Sequence, residues 1–164
     1  MVKFHSRLVR TSLLSLSLLL LGLDQITKYL IRQSFALYET VPFVKGWNWV
    51  LIYNKGSAFG FLANQGGWQQ IIFGLVAVFV SGMLTHHIFC RPYHLLSGIA
   101  FSFVLGGALG NLTDRIFNKE VTDFIDWHFL GYHWPAFNLA DVFITVGITL
   151  LILESIFVKS QKND

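Results

Sequence analysis

Four apolar stretches, residues 11–30, 68–88, 95–112 and 139–158, divide this chain, and each is long enough to cross about 30 Å of hydrocarbon as a helix. Lipid offers no partners to backbone N–H and C=O groups, so such segments must satisfy them internally. The composition agrees. Of the 164 residues 54% are hydrophobic, 16% aromatic and only 13% charged, whereas roughly a quarter of an average soluble domain is charged. The expected fold is integral to the membrane and mainly α, with four transmembrane helices in a single membrane domain, residues 1–164.

The first stretch is the least regular, because its purely apolar part ends at Leu23 and Asp24, Gln25 and Lys28 follow. Lys3, Arg7 and Arg10 ahead of Leu13 to Leu21 resemble the start of a cleavable signal peptide, but no small-x-small cleavage site follows. Asp24 and Lys28 lie one helical turn apart, as a paired polar stripe turned into a bundle would. Cys90 is alone, so no internal disulfide forms. The net charge of +3 is small and the basic residues are scattered, which argues against nucleic acid as a partner.

Four spans place both termini on one side. Lys3, Arg7, Arg10, Arg91, Lys159 and Lys162 on short flanks point to the cytoplasm for that side by the positive-inside rule, although six basic residues occupy the longer segments opposite. On this topology Asp24, Glu39, Asp114, Glu120, Asp123, Asp126 and Asp141, and all five tryptophans, lie at the outer side. An interfacial aromatic belt decorates both faces in the ordinary case, so a one-sided belt suggests outer connections lying flat on lipid. Within the segment 33–67, Trp47 to Asn54 alternates in character and Lys45-Gly46 supplies a turn. That predicts a small strand pair with an apolar face toward the membrane surface. Residues 113–138 are expected as an outer loop.

The third span carries Gly98, Ser102, Gly106 and Gly110 at four-residue spacing, beside Gly107 and Ala108. A stripe of small residues lets a neighbouring backbone approach closely. Such packing would draw the polar ends of the spans together.

Those polar ends carry the chemistry. Asp141 stands at the threshold of the last apolar run and Asp123 upstream of it; carboxylates at a bilayer edge are costly to desolvate and are functional candidates by default. Two that converge would share a proton and activate a water. Asp114 and Asp126 are equally possible partners for Asp141 on spacing alone. Asn138, three residues before Asp141, also has the pattern of a helix N-cap followed by a first-turn carboxylate, and Asn111 and Arg115 sit one turn apart. His128 and His133 lie close enough in sequence to support the acids. His86, His87, Cys90 and His94 lack a recognisable zinc spacing. No motif supports serine, nucleotide or zincin chemistry.

Taken together, Asp24-Gln25-Ile26-Thr27-Lys28, Asn54-Lys55-Gly56-Ser57-Ala58-Phe59-Gly60, Gly106-Gly107-Ala108-Leu109-Gly110-Asn111-Leu112-Thr113-Asp114-Arg115, Val121-Thr122-Asp123-Phe124 and Phe137-Asn138-Leu139-Ala140-Asp141 resemble the bacterial lipoprotein signal peptidase (signal peptidase II) family. The resemblance implies an aspartic endopeptidase of the bacterial inner membrane that cuts prolipoproteins just before a diacylglyceryl-modified cysteine. It implies Asp123 and Asp141 as the catalytic pair, with Asn54, Asn111, Arg115, Asn138, Asp24, Lys28, Gly56 and Asp114 lining or supporting the site. It further implies no cofactor and no metal, membrane lipids as partners, inhibition by globomycin-type cyclic peptides, and a monomer with its active site at the outer face. The alternative class is a small proton-coupled transporter, which would spread its acids through the membrane depth. A metal-dependent lipid phosphotransferase would instead need carboxylates clustered on adjoining helix turns.

Overall fold

The computed structural model describes residues 6–56 and 68–160. Lys3, Lys162 and the part of the second motif at residues 57–60 lie outside the described residues. Four helices, α1 (Arg7–Ser34), α2 (Trp68–Cys90), α3 (Leu95–Phe117) and α4 (Leu139–Ser160), are each long and apolar enough to span a membrane. They carry a four-stranded antiparallel sheet at one end, in the order β1 (Thr40–Val44), β2 (Trp47–Asn54), β3 (Val121–Phe129) and β4 (Tyr132–His133).

Helix α1 begins at Ser6, whose hydroxyl accepts from the Val9 amide at 3.3 Å and satisfies one of the orphan donors of the first turn. Helix α3 is the central element, touching the other three. Its glycines explain how. A Cβ at Gly106 would meet Ser17 and Leu20 of α1, and one at Gly107 would strike the Ala140 carbonyl and Ile144 of α4. From the other side, a Cβ at Gly147 of α4 would meet Val104 and the Ala100 carbonyl. Lipid tails are as apolar as leucine, so this close contact, more than hydrophobic transfer, holds the helices together. Far from the sheet, Leu13, Leu84, Ile88, Tyr93 and Leu105 form the apolar core.

Helix α3 continues to Phe117, past the end of the apolar run at Leu112. The added turn is stable because Asp114 and Arg115 find partners inside the protein. Residues 113–138 are accordingly not a loop. They hold the end of α3, all of β3 and β4, and a return that pairs Phe137 with Ile125. Residues 121–126 are buried without exception. A strand covered on both faces loses the period-two signature by which strands are read, so the sequence alone predicts a loop here.

The β1–β2 hairpin forms as expected, turning at Lys45-Gly46 with Gly46 at φ 87°. Register slips between Trp49 and Ile52. That irregularity turns both Val50 and Leu51 inward. Phe43, Trp47 and Trp49 cluster with ring centroids 5.1–5.5 Å apart. Phe129, Leu130, Tyr132 and Trp134 at the β3–β4 tip are exposed, a form suited to the lipid–water interface.

Candidate active site

Where α4 begins, three carboxylates and three side-chain amides are held in one connected network. Asn138 and Asp141 cap the helix reciprocally: the Asp141 amide donates to Asn138 Oδ1 at 3.1 Å, and the Asn138 amide donates to Asp141 Oδ2 at 3.2 Å. This is the capping box in an Asn–Asp form, anticipated from the three-residue spacing. Asp24 of α1 supplies a further acceptor, its Oδ1 taking the Ala140 amide at 2.9 Å. The α4 N-terminus is thus met by two carboxylates, which suits its positive dipole end.

Asn138 then reaches to β3. Its Nδ2 donates to Asp123 Oδ1 at 2.7 Å and to Asn111 Oδ1 at 3.1 Å. Asn54 Nδ2 donates to the other oxygen of Asp123 at 3.0 Å. The orientation of Asn54 is set by a local turn, because its Oδ1 accepts from the Gly56 amide at 2.9 Å. Gly56 has φ 96°, a conformation glycine adopts freely. Asn111 completes the ring, its Nδ2 donating to Asp141 Oδ1 at 2.8 Å. One asparagine therefore binds both Asp123 and Asp141, and a second steadies it.

Beneath this ring lies a charged layer. Lys28, fully buried, pairs with Asp24 at 2.8 Å and Asp114 at 3.2 Å and donates to Asn111 Oδ1 at 3.0 Å. Three oxygen partners for three ammonium protons leave this buried cation compensated. Gln25 Nε2 ties the layer to α3 through Asp24 and the Gly110 carbonyl. Replacing Lys28 with Met strips two buried carboxylates of their shared cation, at an expected cost of about 3–5 kcal/mol. Thermal unfolding in detergent checks it; an unchanged midpoint would contradict the arrangement.

Arg115 donates to the Asn111 carbonyl at 3.2 Å and lies 5.6 Å from the Phe73 ring centroid. Its charge acts on Asp141, Asp123 and Asp114 through space. The two other candidate partners of Asp141 are engaged elsewhere. Asp114 serves Lys28, Arg32 and the Thr122 amide, and Asp126 accepts from Asn48 at 2.7 Å and meets His133 Nδ1 at 2.8 Å. His128 stacks on His133, so this histidine pair braces Asp126.

Burial pushes the Asp123 carboxyl up to about 7, and the neighbouring Asp141 charge adds to the rise, against the opposing hydrogen bonds of Asn54 and Asn138. Asp123 therefore holds its proton where an ordinary carboxylate has lost it. Two cavities open beside the pair. One of about 980 Å³, walled by Trp47, Trp127, Phe137, Val142 and Val146, reaches Asp141. The other, about 790 Å³ and lined by Tyr38, Tyr53, Asn54 and Asp126, reaches Asp123. His133 and Trp134 border both. Among the described residues no group of three or more His, Cys, Asp or Glu is arranged to hold a metal ion.

Residues 16–157 match the family described as signal peptidase (SPase) II. The chain belongs to that family. Relatives named lipoprotein signal peptidase include that of Serratia marcescens, 43% identical over 153 residues that cover 93% of this chain and 89% of the relative. That of Haemophilus influenzae is 40% identical over 153 residues, covering 93% and 88%. A bacterial membrane enzyme solved by the in meso method at 2.3 Å resolution matches with TM-score 0.84 and 28% identity, over 99% of this chain and 96% of that one. A second, at 1.9 Å resolution, matches with TM-score 0.76 and 29% identity, over 88% and 92%. Signal peptidase II membership and the four spanning helices make this a multi-pass membrane protein.

The sequence did not single out Arg32, Thr122 or the acceptor role of Asp24 at the start of α4. The side-chain partners of Arg32 and Thr122 and the amide that Asp24 accepts lie 82–116 positions away in the chain, beyond any local pattern.

Proposed function

We propose that the protein is an aspartic endopeptidase that removes signal peptides from diacylglyceryl-modified prolipoproteins, cutting just before the lipidated cysteine. The observation that carries this reading is the Asn138 bridge between Asp123 and Asp141, with a cavity opening on each. Asp123 keeps the proton and Asp141, steadied by Asn111 and the helix start, is the base. Asp141 takes a proton from a water as it attacks the scissile carbonyl. Asp123 donates to the developing oxyanion, and the proton gained by Asp141 passes to the leaving amine as the C–N bond breaks. Asp123 takes its proton back from the hydroxyl as the carbonyl re-forms, which restores the one-proton pair. No cofactor enters these steps.

The substrate lies extended across the pair, with Asn54 at the β2 end as its clamp. Its acyl chains stay in lipid beside the aromatic-walled cavity, so the site belongs at the outer surface of the inner membrane, with both termini cytoplasmic. Globomycin-type cyclic peptides, which carry an acyl chain, would occupy the same ground. The enzyme acts as a monomer. A proton-coupled carrier would distribute its acids along the spans, whereas Asp24, Asp114, Asp123, Asp126 and Asp141 gather at the sheet end.

Purified protein in detergent, given a lipidated prolipoprotein in excess EDTA, is expected to cleave it at full rate; abolition by EDTA would sink the aspartic reading. The pH profile carries a sign. The working pair holds one proton, so activity is present below the upper pKa and is lost as Asp123 deprotonates above about 7. At low pH it is lost again when both carboxyls are protonated. A rate rising monotonically from about pH 4 to about pH 9 contradicts the shared proton.

A further inference from the structure

The residue before Asp123 is held more tightly than strand pairing alone requires. Thr122 is completely buried, and adjacent strand residues point to opposite faces, so its contacts are separate from those of the Asp123 carboxyl. Its amide donates to Asp114 Oδ2 at 3.0 Å, and its hydroxyl oxygen accepts from Arg32 Nη1 at 2.9 Å. Arg32 Nη1 also lies 3.4 Å from Asp114 Oδ1. Asp114 in turn binds the end of α3, its carbonyl accepting the Asn118 amide at 2.7 Å and its carboxylate the Asn118 side chain at 3.3 Å. The chain between α3 and β3 is short and turns through Lys119 at φ 60°.

We propose that Arg32 and Thr122 are positioning residues for Asp123: with Asp114 they clip the start of β3 to α1 and α3 and so set where Asp123 stands relative to Asp141. The inference rests on the carboxylate-pair reading above. Its physical ground is leverage. Asp123 Oδ1 and Oδ2 meet Asn138 and Asn54 at 2.7 and 3.0 Å, and a small slide of the strand start spoils both. Reacting groups displaced by about 1 Å can lose two orders of magnitude in rate. The charged groups that bear on Asp123 are Lys28 from α1, Arg115 from α3 and Asp141 from α4. A loosened strand lets water in and moves Asp123 away from Asp141. These changes relieve the two largest causes of its raised pKa and outweigh the lost Asn54 and Asn138 hydrogen bonds, which act the other way, so its proton becomes easier to lose.

The test compares Thr122→Val, which keeps shape and β-branching but removes the acceptor, with Arg32→Gln, their double variant and Thr122→Ser. Expected are about ten-fold lower kcat in Thr122→Val and Arg32→Gln with KM nearly unchanged, and an alkaline limb displaced downward by about half a pH unit. The double variant should be no worse than either single, and Thr122→Ser should restore both rate and limb. Wild-type kcat in Thr122→Val overturns the clip, and so does a uniform loss of amplitude with an unmoved limb, the mark of a lower folded fraction. The protonated Asp123 carbonyl stretch, assigned by difference from Asp123→Asn and titrated by infrared spectroscopy without substrate, gives an independent reading. Titration midpoints equal to wild type overturn the clip even if no substrate is cleaved, while failure of the wild type to cleave overturns the peptidase reading alone.

Discussion

Asp123→Asn and Asp141→Asn will each lower turnover of a lipidated prolipoprotein by about a thousand-fold or more while leaving the protein folded. An amide is close in size to a carboxyl, so the packing holds. Both oxygens of each aspartate accept from N–H groups, Asn138 and Asn54 at Asp123 and Asn111 and the Asn138 backbone at Asp141, and each variant keeps one of those two hydrogen bonds. The amide can neither accept the proton of water as Asp141 must nor deliver one as Asp123 must. The double variant should be little worse than either single, because the two residues act as a unit. Near-normal turnover in either variant contradicts the pair. Stability gives a second readout. The folded pKa of Asp123, about 7, lies above its unassociated value of 3.8, so the folded state binds a proton that the unfolded chain has released. That contribution is full below the unfolded value and is lost as pH rises through about 7. Unfolding free energy of the wild type relative to Asp123→Asn should fall across this window by on the order of a few kcal/mol. A difference independent of pH would show that Asp123 is not desolvated.

Gly107→Ala will cost both fold and activity. The added Cβ collides with the Ala140 carbonyl oxygen and lies 2.8 Å from Ile144, and a backbone carbonyl cannot rotate aside as a long side chain can. Relief requires the start of α4 to move away from α3. That helix start carries Asn138 and Asp141, so the overpacking, about 1–3 kcal/mol in a tight interior, is transmitted straight to the carboxylate pair. At Gly110 the new methyl would come within 2.5 Å of Asp24 Oδ2, the oxygen paired with Lys28, on the carboxylate whose Oδ1 accepts the Ala140 amide at the same helix start. Gly22→Ala and Gly74→Ala are the controls, since nothing lies within 4 Å of a Cβ at either position. Turnover and thermal unfolding in detergent should separate the two groups; a wild-type Gly107→Ala would mean that α3 and α4 do not touch as described.

These two predictions differ in how far they could be read without the structure. The glycine stripe was legible because small residues at four-residue spacing mark a helix face, although Gly107, off the stripe, turned out to meet α4 while Gly106 meets α1. The capping of α4 was legible because Asn138 and Asp141 are three residues apart. Strand β3 was not, since burial on both faces removed its alternation. Asp114 and Asp126 could not be told from Asp123 by spacing, and resemblance alone preferred Asp123.

What the chain determined by itself is local: four runs long enough to span lipid, a hairpin turning at Lys45-Gly46, a capped start to α4, and acids gathered toward one end. Hydropathy and capping act over a few residues, so a linear reading recovers them. What only the tertiary structure decided is the company each acid keeps. Lys28 and Arg32 take Asp114, Asn48 and His133 take Asp126, and Asn138 joins Asp123 to Asp141. The reason is that a carboxylate's protonation depends on desolvation and on charges a few ångströms away, and those neighbours arrive from α1, α3, β2 and α4, far apart in the chain.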